Sequence, residues 1–121
     1  MPFNYVLGEL LAKVPRAIGV AFLDDSGETI DLATTDYTPE DLKVFGAYFG
    51  ISLRQTRSSL EPTKLGSPDL IHVRQGDVYV HAVCLSGGYS LVLLQACPAS
   101  TALARRHLKS AVADLKRELF T

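Results

Sequence analysis

Hydrophobic positions along this chain switch between two periods. Val6, Leu7, Leu10, Leu11 and Val14 recur at helical spacing and predict a short amphipathic helix over roughly residues 3–13, stopped near Pro15. Ala17 to Leu23 is an unbroken apolar run around Gly19, the pattern of a buried strand. Asp24-Asp25-Ser26-Gly27 is turn chemistry, with Gly27 able to supply a positive φ. Residues 28–33 then alternate polar and apolar, as the second strand of a hairpin would.

Thr38-Pro39-Glu40-Asp41 is a helix start: Thr38 can cap, Pro39 fits the first helical position, and two acids complement the dipole. The helix is predicted from residue 39 to about 58. Leu42, Phe45, Phe49 and Leu53 form its apolar side, and Val44, Tyr48 and Ile51 widen that side beyond one stripe. So broad an apolar surface needs two things to pack on: its own sheet and another chain. Residues 60–67 hold Pro62 and Gly66 and read as a loop. Three strands follow, at 69–74, 77–85 and 89–96, separated by turns at Gln75-Gly76 and Ser86-Gly87-Gly88. The last is almost wholly apolar and is expected at the sheet centre, covered on both faces. Cys97-Pro98 ends it. Ser100 or Thr101 can cap a final helix to residue 120, whose stripe is Ala104, Leu108, Ala111, Val112, Leu115 and Leu119.

The fold class is therefore α/β in the α+β sense. One five-stranded antiparallel sheet is sandwiched by helices, in the order α-β-β-α-β-β-β-α, within a single domain over residues 1–121. A chain of 121 residues with 47% apolar positions can bury a core without staples.

Charge changes the picture little. The formal net charge is -1, which gives no reason to expect nucleic acid as a partner. Asp24, Asp25, Glu28, Asp31, Asp36, Glu40 and Asp41 lie in a stretch without Lys or Arg, while Arg105, Arg106, Lys109, Lys116 and Arg117 gather later. Cys84 and Cys97 form no C-x-x-C pair and no secreted disulfide framework, so a reducing cytoplasmic setting is expected. The first residues lack a secretory pattern, and no apolar run reaches the length of a bilayer span.

Several residues carry the resemblance to a known family. They are the Leu10-Leu11 helix leading into Ala17-Ile18-Gly19-Val20, and the hairpin Phe22-Leu23-Asp24-Asp25-Ser26-Gly27-Glu28-Thr29-Ile30. The strand Gly88-Tyr89-Ser90-Leu91-Val92-Leu93-Leu94 and the Ala104-Arg105 helix start complete it. In this order and spacing, over residues 3–120, the chain resembles the roadblock/dynein-light-chain family. The resemblance implies a homodimer with a sheet continuous across both subunits. It also implies work as a non-enzymatic regulator or scaffold of a small Ras-like GTPase, as in bacterial polarity and gliding systems, or a part in dynein-associated complexes.

Catalytic chemistry is sparse in the sequence. His72, His81 and His107 have no converging carboxylate or Cys and read as partly exposed structural residues. With Gln75-Gly76 as the turn, His72 would face Tyr79, Leu70 would face His81, and the two histidines would be diagonal neighbours. Cys84 and His81, three apart on one strand, point to opposite faces. The Asp24–Glu28 segment lacks EF-hand spacing, and no phosphate-binding glycine loop exists. Arg54, Arg57 and Arg74 are the arginines that an arginine finger would draw on, but Arg54 and Arg57 are simply favoured near a helix C-terminus. No catalytic residue, metal ligand or cofactor is assigned.

The expected dimer contact uses Val44, Phe45, Tyr48 and Phe49 on the middle helix, with Ile71 and Val73 on the strand at 69–74. Proline at Ile71 or Val73 is expected to remove ladder donors and break that contact. The expected partner contact uses Glu40, Lys43, Ala47, Tyr48 and Arg54. Alternatives are a profilin-like or PAS-like sensory module binding a small apolar ligand between helix and sheet, and, more remotely, a small hydrolase.

Overall fold

A computed structural model describes residues 2–35, 37–66 and 68–120; Asp36 of the acidic stretch and Ser67 of the loop lie outside the described residues. The elements are α1 (Pro2–Lys13), β1 (Ala17–Leu23), β2 (Thr29–Thr34), α2 (Pro39–Leu60), β3 (Leu70–Gln75), β4 (Val78–Cys84), β5 (Ser90–Ala96) and α3 (Thr101–Phe120). Short 3₁₀ turns sit at Glu61–Thr63 and Ser86–Gly88. The expected order of helices and strands is present, with boundaries within two residues of the pattern-based ones.

The sheet is antiparallel in the order β2-β1-β5-β4-β3, so the apolar strand β5 is central. Alternation along the strands splits the core in two. Val20, Phe22, Leu91 and Leu93 face α1 and α3, which bring Leu7, Leu10, Leu108 and Leu115 to them. Ala21, Leu23, Val92 and Leu94 face the other way, toward Leu42 and Leu53 of α2.

Local chemistry explains the ends. The Thr38 hydroxyl accepts from the Asp41 amide at 3.2 Å and caps α2, and the Ser100 hydroxyl accepts from the Leu103 amide at 3.2 Å at the start of α3. Thr38→Ala should cost about 1 kcal/mol of stability, measured by urea denaturation. In the β1–β2 turn one Asp24 carboxylate oxygen accepts from the Ser26 and Glu28 amides at 2.9 and 3.0 Å, and Gly27 adopts φ 83°. That oxygen closes the hairpin itself, in keeping with a turn rather than a cation loop.

One register differs from the sequence-based expectation. The β3–β4 loop is Gly76-Asp77, not Gln75-Gly76: Gln75 pairs with Val78 and His72 sits directly opposite His81. Gly76 at φ 61° takes the left-handed position of the loop. The shift of two residues keeps every side chain on its expected face, so the apolar alternation alone does not distinguish the two registers.

Candidate interaction surface

α2 lies close on the sheet because its inner face is small. A Cβ at Gly46 would come within 3.2 Å of Leu23, and one at Gly50 within 3.2 Å of the Gly27 backbone. With Leu42 and Leu53 buried beside them, the helix is seated on β1 and β2. Val80 and Ala82 of β4 are buried on that face as well, and it is the edge strand β3 that is left open, with Val73 37% exposed. On its outer side α2 exposes Val44 (57%), Tyr48 (72%) and Ile51 (48%). Phe45 and Phe49 are half-buried and stack at 5.6 Å between ring centroids, packed against the core layer that Val80 and Ala82 of β4 belong to. A shallow cleft of about 430 Å³ is lined by Tyr37, Val44, Phe45, Tyr48, Phe49 and Gln75, among others.

Ile71 packs against the same core layer as Phe45 and Phe49, and Val73, two residues on, lies on the same face and is 37% exposed. The six residues expected at a dimer contact are thus on one side of the sheet. β3 is the edge strand beside them. β2, the other edge, is flanked by α1 and α2, whereas β3 packs almost wholly on β4.

The hydrogen-bond phase of that edge corrects one expectation. The Cys84 amide donates to the Asp69 carbonyl at 2.9 Å, which makes these opposite residues a hydrogen-bonded pair. Alternation then turns the N–H groups of Ile71 and Val73 inward to β4, and those of Leu70, His72 and Arg74 outward. Proline at Ile71 or Val73 would therefore damage the hairpin rather than the open edge.

The residues expected to meet a partner do not form one cluster. At about 3.6 residues per turn, Glu40, Lys43, Ala47 and Arg54 line one exposed flank of α2, near the β1–β2 turn, while Tyr48 belongs to the Phe45–Phe49 side. Arg54 and Arg57 line a cavity of about 420 Å³ together with Asp24, Asp25, Glu61 and Cys84. Three carboxylates thus stand with the two arginines in its lining, and no ion pair joins them. Burial pushes the Cys84 thiol up, with Arg57 opposing and Asp69 adding to the effect, so it is a poor nucleophile. Among the described residues no group of three or more His, Cys, Asp or Glu is placed to hold a metal. No helix among them is long and apolar enough to cross a membrane.

Sequence reasoning missed a buried polar network. His81 is fully buried, not partly exposed. Gln95 Nε2 donates to the Pro15 and Ser100 carbonyls at 3.0 and 3.1 Å, leaving its Oε1 to accept from His81 Nε2 at 2.9 Å. His81 Nδ1 meets His72 Nδ1 at 2.6 Å. Gln95, a polar residue deep in the nearly all-apolar β5, was the available signal. Burial holds His81 below the ordinary histidine value of 6.5, opposed by Gln95 and aided by Arg105. Burial, His81 and Arg105 do the same to His72. With folded values depressed, the unfolded chain binds more protons below that value. Stability is then fully present above about pH 6.5 and falls as pH is lowered. The melting temperature should drop between about pH 7.5 and about pH 5, and His81→Leu should flatten that slope. The same variant should cost about 1–3 kcal/mol, because it strands the Gln95 oxygen.

No protein-family model matches the sequence, and no curated protein matches it significantly. Solved structures do match its shape. A Roadblock/LC7 domain from Streptomyces avermitilis superposes with TM-score 0.87 at 17% identity, over 98% of both chains. MglB from Myxococcus xanthus gives 0.86 at 16% identity, over 95% of this chain and 92% of that one. The gliding protein MglB from Thermus thermophilus gives 0.83 at 16% identity, over 96% and 87%. With its element order, strand order and near-complete overlap all in agreement, the chain has the roadblock/LC7 fold.

Proposed function

We propose that this chain is a non-enzymatic homodimer that regulates or scaffolds a small Ras-like GTPase. The observation that carries the reading is the adjacency of an exposed apolar helix side and an uncovered strand edge on one side of the sheet. Val44, Phe45, Tyr48 and Phe49 stand beside Ile71 and Val73, and β3 offers unpaired backbone groups next to them. A two-fold axis at that edge would extend the sheet and cover the apolar side in one step. The fold shared with MglB, a gliding protein in the Thermus structure, supports a regulatory role for such an assembly.

In that dimer the flank of α2 bearing Glu40, Lys43, Ala47 and Arg54 stays on the surface, with exposed charges of both signs for the GTPase. Lys43→Glu combined with Arg54→Glu should weaken binding of a GTP-loaded Ras-like GTPase at least tenfold, about 1.4 kcal/mol. Dimer mass and melting temperature should stay unchanged. Calorimetric titration checks this; undiminished binding by the double variant, or no binding by the wild type, would remove the GTPase reading. For the small-ligand alternative, the cleft between α2 and the sheet lined by Ile18, Tyr37, Phe45 and Leu94 among others is about 160 Å³, and it shares Tyr37, Phe45 and Gln75 with the shallow cleft of about 430 Å³.

A further inference from the structure

On the opposite face of the sheet, β3, β4 and the start of α3 enclose a cavity of about 300 Å³ lined by His72, Val73, Arg74, Tyr79, Thr101 and Arg105. Two arginines and a histidine line it, and no carboxylate does. Among the described residues the cations in ion pairs are Lys13, with Glu9, and Arg117, with Asp114. Arg74 and Arg105 have no ion pair among those residues. Arg74 instead lies over the Tyr79 ring at 5.9 Å, with its Nε donating to the Gly76 carbonyl at 3.4 Å.

We propose that this cavity binds a small oxyanion, phosphoryl or carboxylate, held by Arg74, Arg105 and His72. Arginine donors suit the oxygens of either group, and the hydrogen-bond network fixes what His72 can add. Because Gln95 Nε2 is engaged by two carbonyls, its Oε1 accepts the His81 Nε2 proton. The Nδ1 of neutral His81 is then a bare acceptor, and His72 Nδ1 donates to it. His72 Nε2 is the one ring nitrogen of the pair that can gain a proton without breaking a bond. Protonated there, His72 becomes a third cation on the cavity wall. The groups facing it are His81 and Tyr79 from β4, Arg74 from its own strand and Arg105 from α3, none of them a carboxylate. Bound anion and His72 proton therefore strengthen one another.

The cavity is read from side chains of β3 on the helix-covered face, and edge pairing from its backbone, so the two readings are tested by different measurements. The test is an NMR titration of the histidine rings of the full chain at constant ionic strength, with sulfate replacing chloride. Sulfate is the probe because its charge stays constant through the window. The His72 midpoint should rise by about one unit, equivalent to sulfate binding about tenfold more tightly to the protonated form. His107, outside the cavity, serves as the internal reference. Arg105→Ala, at an exposed position, should abolish the rise. Lys116→Ala, an exposed cation further along α3, should preserve it. A repeat with acetate separates the sources: a rise as large as with sulfate points to carboxylates, and a rise with sulfate alone points to phosphoryl groups. No rise with either anion, or an equal rise in Arg105→Ala, overturns the site and leaves only bulk screening.

Discussion

Phe22→Ala should cost about 3–5 kcal/mol. Phe22 is fully buried on β1, next to the central strand. Its ring stacks on Tyr89 at 5.7 Å and tilts against Phe3 at 5.1 Å, joining the sheet to α1 and to the β4–β5 connection. Truncation would leave a cavity bounded by strands on one side and helix on the other, neither free to collapse without unpairing the sheet. Domains are typically stable by about 5–15 kcal/mol, so the variant should be folded only marginally. Urea denaturation reads the loss. Phe120→Ala, at a ring 57% exposed, should stay within about 0.5 kcal/mol of the parent. A Phe22→Ala variant as stable as the parent would show that the layer under α1 and α3 is not packed as described.

Arg74→Pro should convert the protein from dimer to monomer while leaving circular dichroism close to the parent's. The outward N–H of Arg74 is a donor that the β3 edge offers to a second copy, and proline removes it without touching the ladder to β4. Val73→Pro makes the contrast. Its N–H points to Val80, so it should disorder the β3–β4 hairpin and lower the melting temperature. The two changes are adjacent in sequence and opposite in consequence only because strand hydrogen bonds alternate. If Arg74→Pro remained fully dimeric, pairing through β3 would be excluded.

Much of this architecture was legible from periodicity. The unbroken apolar run of β1, the alternation in β2, the Thr38-Pro39 start of α2 and the nearly all-apolar β5 each report a local property, and each element lies within two residues of its expected place. The over-wide apolar side of α2 was legible for the same reason, and the structure leaves Val44 and Tyr48 uncovered. What was not legible depends on residues far apart in sequence. Gln95 orders His81 through carbonyls of Pro15 and Ser100, which come together only when β5 lies between β1 and β4. The cationic cavity joins His72 and Arg74 on β3 to Arg105 on α3, with two strands between them in sequence, a meeting that no spacing encodes. The loop register was missed because Gln75-Gly76 and Gly76-Asp77 both allow a tight turn and give the same inside–outside pattern.

The central claim is that the apolar side of α2 and the open edge of β3 are covered by a second copy of this chain. Light scattering on the purified protein at tens of micromolar tests it most directly. The account predicts a mass of about 26 kDa, twice the 13.1 kDa of one chain. A mass of 13.1 kDa under the same conditions would contradict it.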